Sequence, residues 1–176
     1  MTDPESLPET IGAILAQRQL PETTLNRVVE QVGRALDADR CFLYLRQPTL
    51  QRGRVAVCWR RNETVPDAFQ PDWREDTGDL PDKDPLFRAA ITLKPSVYVD
   101  DVETAGPDVL NRAFEAENFG HRALIHAHVT GEGQLWGVLQ PCLFGRPRYW
   151  TAGEKRQIEA ILPLLQPVIA AFVNES

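Results

Sequence analysis

The sequence is poor in cysteine, which narrows the classes of protein to which it can belong. Its three cysteines, Cys41, Cys58 and Cys142, are odd in number, widely spaced and without a CxxC pair. This spacing argues against a disulfide framework and against a zinc ribbon. We therefore expect three free thiols, and we expect them to be buried because cysteine is among the most frequently buried residue types.

Long apolar runs and excess positive charge are also lacking. No apolar run approaches the roughly 20 residues that a membrane-spanning helix needs, and the N-terminus is polar and acidic where a secretory signal is basic and then apolar. The net charge of −6 gives nucleic-acid phosphates no electrostatic reason to bind. We therefore expect a cytoplasmic protein that neither inserts into a membrane nor binds nucleic acid.

What is present fits one globular domain. The chain has 176 residues, of which 43% are apolar and 25% are charged, and both values lie in the ordinary range for a single folded domain. The sequence contains no internal repeat that would indicate a repeat protein.

The first half of the chain predicts two helices, a hairpin and a loop. Apolar residues recur at helical spacing over residues 21–37, and a shorter helix is expected around residues 11–15. Residues 40–45 and 55–60 are rich in aromatic and β-branched side chains, which predicts two paired strands. Residues 62–84 are crowded with Pro, Asp, Glu and Gly and are predicted to form a long loop.

The second half predicts short elements and then a second hairpin. We expect a short helix over residues 84–93, a strand over 96–99 and a helix over 109–118. Residues 123–129 and 134–143 are apolar and flank a Thr-Gly-Glu-Gly turn, which predicts a hairpin.

The last helix has a clear start and an internal conflict. Thr151 and Glu154 fit a capping box, and an apolar stripe follows them. Pro163 and Pro167 lie inside that stripe, so a kink or break is expected there. The whole order of elements predicts an α+β fold, in which an antiparallel sheet carries helices on its faces.

One hairpin carries a family resemblance. The run Gly-Gln-Leu-Trp-Gly-Val-Leu at residues 133–139, followed by Arg-Pro-Arg-Tyr-Trp at 146–150, resembles the G-x-L-W-G-L-L strand and P-R-x-W segment of bilin-binding GAF domains from phytochromes and cyanobacteriochromes. The resemblance extends over residues 20–172. It implies a GAF fold in which the N- and C-terminal helices pack together, with an N-terminal helical segment at residues 1–19 and a single GAF-type domain at 20–176.

The resemblance is weaker where relatives keep their chromophore chemistry. Asn111 and Arg112 occupy the positions of the family's bilin-attaching Cys-His pair, and Cys142 falls near a second chromophore-contacting histidine. The run Asp-Pro-Leu-Phe that ends at Phe87 is similar to a D-x-C-F motif, with Leu86 in place of the cysteine. The resemblance therefore implies a domain without covalent bilin and with no expected cofactor, although noncovalent binding of a tetrapyrrole stays open.

Three further side chains are candidates for a ligand pocket or a partner contact. His126 and His128 are two apart on a predicted strand and point to the same side, where Cys142 on the paired strand could complete a soft metal site. Without a third ligand at motif spacing, we prefer a solvated face or local hydrogen bonds. Trp73 lies in the polar loop, which predicts either a lid over a pocket or a contact with a partner protein. His121 follows a glycine at a helix end, where we expect it to cap the helix.

Three functions remain in competition. The first is a noncatalytic regulatory or scaffold domain that binds a partner protein, pairs as a homodimer through its terminal helices and holds a small ligand as a further option. The second is a light-signalling tetrapyrrole carrier without covalent attachment, which the largely cyanobacterial family suggests. The third is a thiol-dependent methionine sulfoxide reductase, which needs reactive thiols in loops, whereas Cys41 and Cys58 fall inside predicted strands.

Overall fold

The computed structural model describes residues 6–175. Ser176 and residues 1–5 lie outside the described residues, and with them the start of the predicted N-terminal segment and most of the acidic N-terminus. Two predicted helices are confirmed at the beginning of the described chain, α1 (Leu7–Ala16) and α2 (Pro21–Ala35). A capping box between Ser6 and Glu9 starts α1, and proline occupies the first turn of α2, where its missing N–H costs nothing.

A six-stranded antiparallel sheet forms the centre of the fold. Its spatial order is β3-β2-β1-β6-β5-β4, so the two predicted hairpins, β1–β2 and β5–β6, meet along the β1–β6 pair. The strands are β1 (Arg40–Gln47), β2 (Arg52–Arg60), β3 (Arg74–Glu75), β4 (Val97–Val99), β5 (Ala123–Gly131) and β6 (Gln134–Leu143).

The connections contain short elements that the sequence pattern predicts only in part. They are a 3-10 turn (Pro48–Leu50), α3 (Leu80–Lys83), α4 (Pro85–Ile91) and α5 (Arg112–Asn118). The prediction of one long loop over residues 62–84 is wrong at two places, because β3 and α3 lie within it. The helix predicted from residue 109 starts later, because the Asn111 side chain accepts the N–H of Phe114 and caps α5 at that point.

The last helix, α6 (Ala152–Asn174), is continuous, so the predicted break is wrong. Pro163 and Pro167 are both exposed. The carbonyls that they leave without a helical donor, four residues earlier, therefore lie toward water, which can replace the lost hydrogen bonds. The capping box between Thr151 and Glu154 is confirmed.

The hydropathy of α6 corrects the expectation that no segment is apolar enough to cross a membrane. By length and composition alone α6 passes that test, and it is the only helix in residues 6–175 that does so. Its most apolar stripe is used inside the protein, where seven of its residues are buried, and core helices of soluble proteins pass the same test. The buried residues are Ile158, Ile161, Leu162, Leu165, Ile169, Phe172 and Val173.

The sheet has two faces with different covers. The helices α1, α2 and α6 pack on one another and on one face, which confirms that the terminal helices lie together. We call this the helix face. Its side chains, such as Leu43, Ile125 and Leu139, are fully buried in the main apolar cluster. The opposite face lies under α3, α4, α5 and their loops, and we call it the cavity face.

Candidate functional site

A partly open cavity of about 140 Å³ lies on the cavity face, between the sheet and the short helices α3, α4 and α5. Strands β1, β2, β5 and β6 supply its floor, and aliphatic contacts come from Val55, Leu80 and Val138. Five of the thirteen lining residues are phenylalanine or tyrosine. The aromatic side chains that line it are Phe42, Tyr44, Phe87, Phe114 and Phe119.

Asp84 stands at the edge of the cavity as the N-cap of α4. Its Oδ1 accepts the backbone N–H groups of Leu86 and Phe87, at 3.1 and 3.2 Å. Burial, and next the charge of nearby Glu115, raise the pKa of this carboxyl to about 6, against the two hydrogen bonds that lower it. The side chain therefore keeps its charge at neutral pH only at a cost in stability.

Glu115 brings a second carboxylate to the cavity from α5. It is only 2% exposed, and its Oε2 lies 2.7 Å from Nε2 of His121. The His121 ring stacks on Phe119 with 5.3 Å between ring centroids, and Phe119 stacks on Phe42. The prediction that His121 caps a helix end is wrong, because this buried ring pairs with a side chain of α5 and not with terminal carbonyls.

His126 and His128 form a hydrogen-bonded chain that ends at the carbonyl of Lys94. The positions of the protons along the chain follow from this last hydrogen bond. His128 Nδ1 lies 2.8 Å from the carbonyl oxygen of Lys94, which only accepts, so Nδ1 carries the proton. Burial lowers the pKa of both histidines, so both are neutral, and His128 Nε2 is an acceptor. His126 Nδ1, 2.8 Å away, must therefore donate to it. This leaves Nε2 of His126 as an acceptor.

The two histidines do not form a metal centre with Cys142. Within residues 6–175, no group of three or more His, Cys, Asp and Glu side chains is placed to hold a metal ion. The solvated-face interpretation is also wrong, since His126 and His128 are 6% and 5% exposed. The alternative, local hydrogen bonding, is confirmed by the chain from His126 to Lys94.

Phe87 is the one other predicted residue that lines the cavity. Leu86 is buried in a second apolar cluster that also contains Cys142. Asn111 and Arg112 lie at the surface, where Asn111 caps α5 and Arg112 donates to the carbonyl of Ala105.

Trp73 lies on the helix face, away from the cavity. It packs against the main apolar cluster, and the guanidinium of Arg54 lies 5.1 Å from its ring centre and 5.6 Å from that of Phe172 on α6. Trp73 is not among the side chains that line the cavity. Its position therefore does not fit a lid over this cavity.

All three cysteines lie in strands, and none of them lines the cavity. Cys41 and Cys142 are buried and Cys58 is half-buried. Burial raises the pKa of Cys58 and of Cys142 to about 11 and that of Cys41 well above its ordinary value. Since the thiolate is the nucleophile, all three thiols are poorly reactive at neutral pH.

Sequence reasoning missed Glu115, Tyr44 and Gln140, all of which line the cavity. A usable signal exists for Gln140, because it is a lone polar side chain within the apolar run of β6 and is only 5% exposed. Glu115 has no such signal, since a glutamate in a short polar helix is most often solvated.

A family model described as GAF domain matches residues 20–165. This chain belongs to the GAF family. GAF domains are regulatory or sensory in general, are typically soluble and are mostly noncatalytic. Helix α1 lies outside the matched residues but shares the main apolar cluster of the GAF domain.

Solved structures with the same fold include domains of phytochromes and of phosphoenolpyruvate-protein phosphotransferases. A phycoerythrobilin-bound GAF domain from a cyanobacterial phytochrome is similar over 99% of this chain and 98% of its own, with a TM-score of 0.74 and 18% identity. The GAF domain of an Acinetobacter phosphoenolpyruvate-protein phosphotransferase is similar over 93% and 90%, with a TM-score of 0.70 and 15% identity. The GAF domain of the Coxiella burnetii phosphoenolpyruvate-protein phosphotransferase is similar over 96% of this chain and 94% of its own, with a TM-score of 0.72 and 14% identity. No curated protein sequence matches the chain.

Proposed function

We propose that this GAF domain is a noncatalytic sensor that takes a small ligand in the cavity and passes its occupancy to a partner protein. The observation that carries the proposal is the cavity itself, in which buried polar groups face a partly open, mostly apolar space. A preformed apolar cavity with a few convergent polar groups is the usual form of a small-molecule site.

The polar groups of the cavity support a ligand because they have hydrogen-bonding capacity to spare. Within residues 6–175, no side chain or backbone group donates to Asp84 Oδ2, Glu115 Oε1 or His126 Nε2. Each of these three atoms also keeps surface that a water-sized molecule can reach. Buried polar groups in proteins nearly always have partners, so water or a ligand is expected to fill this role.

The chemistry of the thiols favours a noncatalytic role over the reductase alternative. A reductase of methionine sulfoxide needs a thiolate beside its substrate, whereas the cavity has no cysteine in its wall and burial raises all three thiol pKa values. We therefore expect the cavity to bind a small molecule without a thiol reacting with it.

The output surface that we propose is formed by the terminal helices. Leu164 on α6 is 40% exposed, and Leu20, just before α2, is 75% exposed. Large apolar side chains at the surface of a helical layer are common at dimer and partner contacts. A homodimer through these helices predicts that Leu164→Glu shifts the sedimentation of the protein from dimer to monomer. A wild-type monomer at high protein concentration would contradict the homodimer.

A noncovalent tetrapyrrole carrier is the second candidate, favoured by the similarity to a bilin-bound GAF domain. The size of the cavity argues against it. An engineered cavity of about 150 Å³ holds one benzene ring, so the 140 Å³ found here takes one ring, whose polar substituent can lie toward the open side of the cavity, and not the four rings of a tetrapyrrole. The bilin propionates would also need cations, and the described lining residues contain no lysine or arginine. Purification from bilin-producing cells tests this candidate, which requires a visible absorption band that survives gel filtration but not acid-urea.

Native mass spectrometry of the protein purified from its own cells tests the main proposal. We expect an adduct of low mass that is absent from Val138→Phe, because the larger side chain fills the cavity that Val138 lines. Val65→Phe, in a loop outside the cavity wall, is the control and should retain the adduct. The proposal fails if Val138→Phe, shown to be folded by circular dichroism, retains the adduct or if wild type carries none and gains no thermal stability from any small molecule tested.

A further inference from the structure

We propose that the cavity selects a small organic cation that carries N–H donors, such as an amidinium or a protonated amino-heterocycle, over a neutral or anionic molecule of the same shape. This inference rests on the proposed function and specifies the ligand class for the same site. Four features of the cavity lead to it: a fixed histidine acceptor, two carboxylates, aromatic side chains in the wall and the lack of lysine and arginine in the lining.

The histidine chain fixes one acceptor in the cavity wall. The Lys94 carbonyl accepts from His128, and His128 in turn accepts from His126 Nδ1. His126 lines the cavity and is only 6% exposed. No donor within residues 6–175 reaches its Nε2. A ligand that meets this nitrogen must therefore present an N–H or O–H group.

Two carboxylates add negative charge to the same space. Asp84 uses Oδ1 for the cap of α4, and Glu115 uses Oε2 for His121, so each has one oxygen left for a ligand. Charge-assisted hydrogen bonds from an N–H cation to these oxygens are roughly twice as strong as neutral ones. An anion would face repulsion from both groups.

The aromatic walls favour the same kind of ligand. Five aromatic side chains line the cavity, and a cation over an aromatic face is attracted by the negative charge of that face. Phe119 already stacks with His121 and Phe42, and Arg40 and Arg46 lie over the rings of Phe42 and Phe87, so a planar cation would stack on Tyr44 or Phe114. A highly hydrated point charge such as Na⁺ would gain less, because it cannot replace its water with apolar contact.

Nearby arginines do not reverse the charge of the cavity. Arg46 is bound by both oxygens of Asp76, at 2.8 and 2.7 Å, and lies outside the lining. Arg40 is also outside the lining: its Nη1 donates to the Pro66 carbonyl, its guanidinium lies over the rings of Phe42 and Phe144, and its Nε and Nη2 have no hydrogen-bond partner within residues 6–175. Since neither arginine lines the cavity, neither is placed to bind an anion there directly.

Three molecules of one shape test the selection. Benzamidine, benzamide and benzoate each carry one planar group on one benzene ring, and they differ in charge and in the number of N–H donors. Isothermal titration at neutral pH should show that benzamidine binds at least about tenfold more tightly than benzamide, and that benzoate does not bind. Tighter binding of benzamide or benzoate would overturn the cation proposal and leave the cavity as a ligand site.

Variants assign the binding to the named groups. Asp84→Asn removes a charge and keeps an excellent helix cap, so the fold is expected to survive. Glu115→Gln removes the second charge, and Glu117→Gln changes an exposed glutamate on the same helix as the matched control. We expect benzamidine to bind roughly tenfold more weakly to each cavity variant, and unchanged to the control. Equal affinity for Asp84→Asn and wild type contradicts the proposal.

The variant Val138→Phe, in which the cavity is filled, distinguishes a failure of the cation proposal from a failure of the proposed function. Val138→Phe should abolish benzamidine binding, and binding that persists in this variant would place the site elsewhere and overturn the cation proposal. No binding by any of the three probes to folded wild type also overturns it. The proposed function is decided separately, by the native adduct and its loss from Val138→Phe.

Discussion

The two faces of the sheet are covered by different kinds of element, and their side chains therefore pack differently. On the helix face, Leu43, Ile125 and Leu139 meet the long helices α1, α2 and α6 and are completely buried in one apolar cluster. On the cavity face, alternate residues of the same strands meet short helices and loops. There His126 and Gln140 are buried beside the cavity of about 140 Å³.

This contrast shows how one sheet can stabilise a fold and present a site. A strand places successive side chains on opposite faces, so β5 contributes Ile125 to the core and His126 to the cavity. Short helices leave irregular space that long, apolar helices would fill. Substitutions on the helix face should therefore act mainly on stability, and those on the cavity face mainly on binding.

The largest expected effect on stability is that of truncation in the helix-face core. Ile125→Ala should lower the free energy of unfolding by about 3 kcal/mol, because Ile125 is fully buried and its loss leaves a void. Val138→Ala, beside the existing cavity, should cost only about 1 kcal/mol. Urea denaturation measures both, and equal losses would contradict the difference between the faces.

Both faces should contain thiols of low reactivity. With pKa values of about 11, Cys58 and Cys142 are almost fully protonated at pH 8. We expect iodoacetamide to alkylate them roughly 100-fold more slowly than free cysteine, whose ordinary pKa is about 8.5. Mass spectrometry of timed samples measures the rates. A cysteine of the folded protein that reacts as fast as free cysteine would reopen the reductase alternative.

A substitution of Trp73 shows whether this loop side chain contributes to the stability of the helix face or to ligand binding in the cavity. Trp73→Ala should destabilise the protein by about 1.5 kcal/mol, because the ring is partly buried against the main cluster and Arg54. Benzamidine affinity should not change, since Trp73 is not part of the cavity wall. If stability stays the same while affinity falls, Trp73 is a ligand contact after all.

A smaller effect is expected from the charge of Asp84. Burial raises its pKa from 3.8 to about 6, so the folded state holds its proton more tightly than the unfolded state does. The resulting stabilisation is complete below about pH 3.8 and is lost as pH rises through 6. Asp84→Asn, which stays neutral, should therefore be more stable than wild type at pH 8, by at most the roughly 3 kcal/mol to which a shift of about two pKa units corresponds.

Thermal unfolding of both proteins across this pH range checks the prediction. The advantage of Asp84→Asn should shrink as pH falls and should be absent at pH 3.5 if the folded state persists there. An advantage that is independent of pH would show that its origin is not the buried charge.

Much of the frame was predictable from the sequence because its signals are local. The hairpin of β5 and β6 is specified by two apolar runs around a Gly-rich turn, and α2 by its apolar spacing. The short elements β3 and α3 were missed because a polar, proline-rich segment has no period. The continuity of α6 was missed because it depends on the exposure of Pro163 and Pro167, which is a property of the packed structure.

The site was predictable only where a side chain's direction follows from its strand. His126 and His128 were expected on the same side, and they are hydrogen-bonded there. Their burial depends on the cover from other segments, which no strand pattern contains. Glu115 joins the cavity through the placement of α5, and Trp73 takes the opposite face because its loop returns toward α6.

The most direct test of the cavity as a ligand site is long-range ¹H–¹⁵N NMR of the histidine side chains, with and without benzamidine. The structure predicts that His126 is neutral, carries its proton on Nδ1 and has an unprotonated Nε2, whose resonance moves when the cation donates to it. The resonances of His128 should move less, because the Lys94 carbonyl holds its proton in place. A protonated Nε2 on His126, or a resonance that benzamidine leaves unchanged at saturation, would contradict the account.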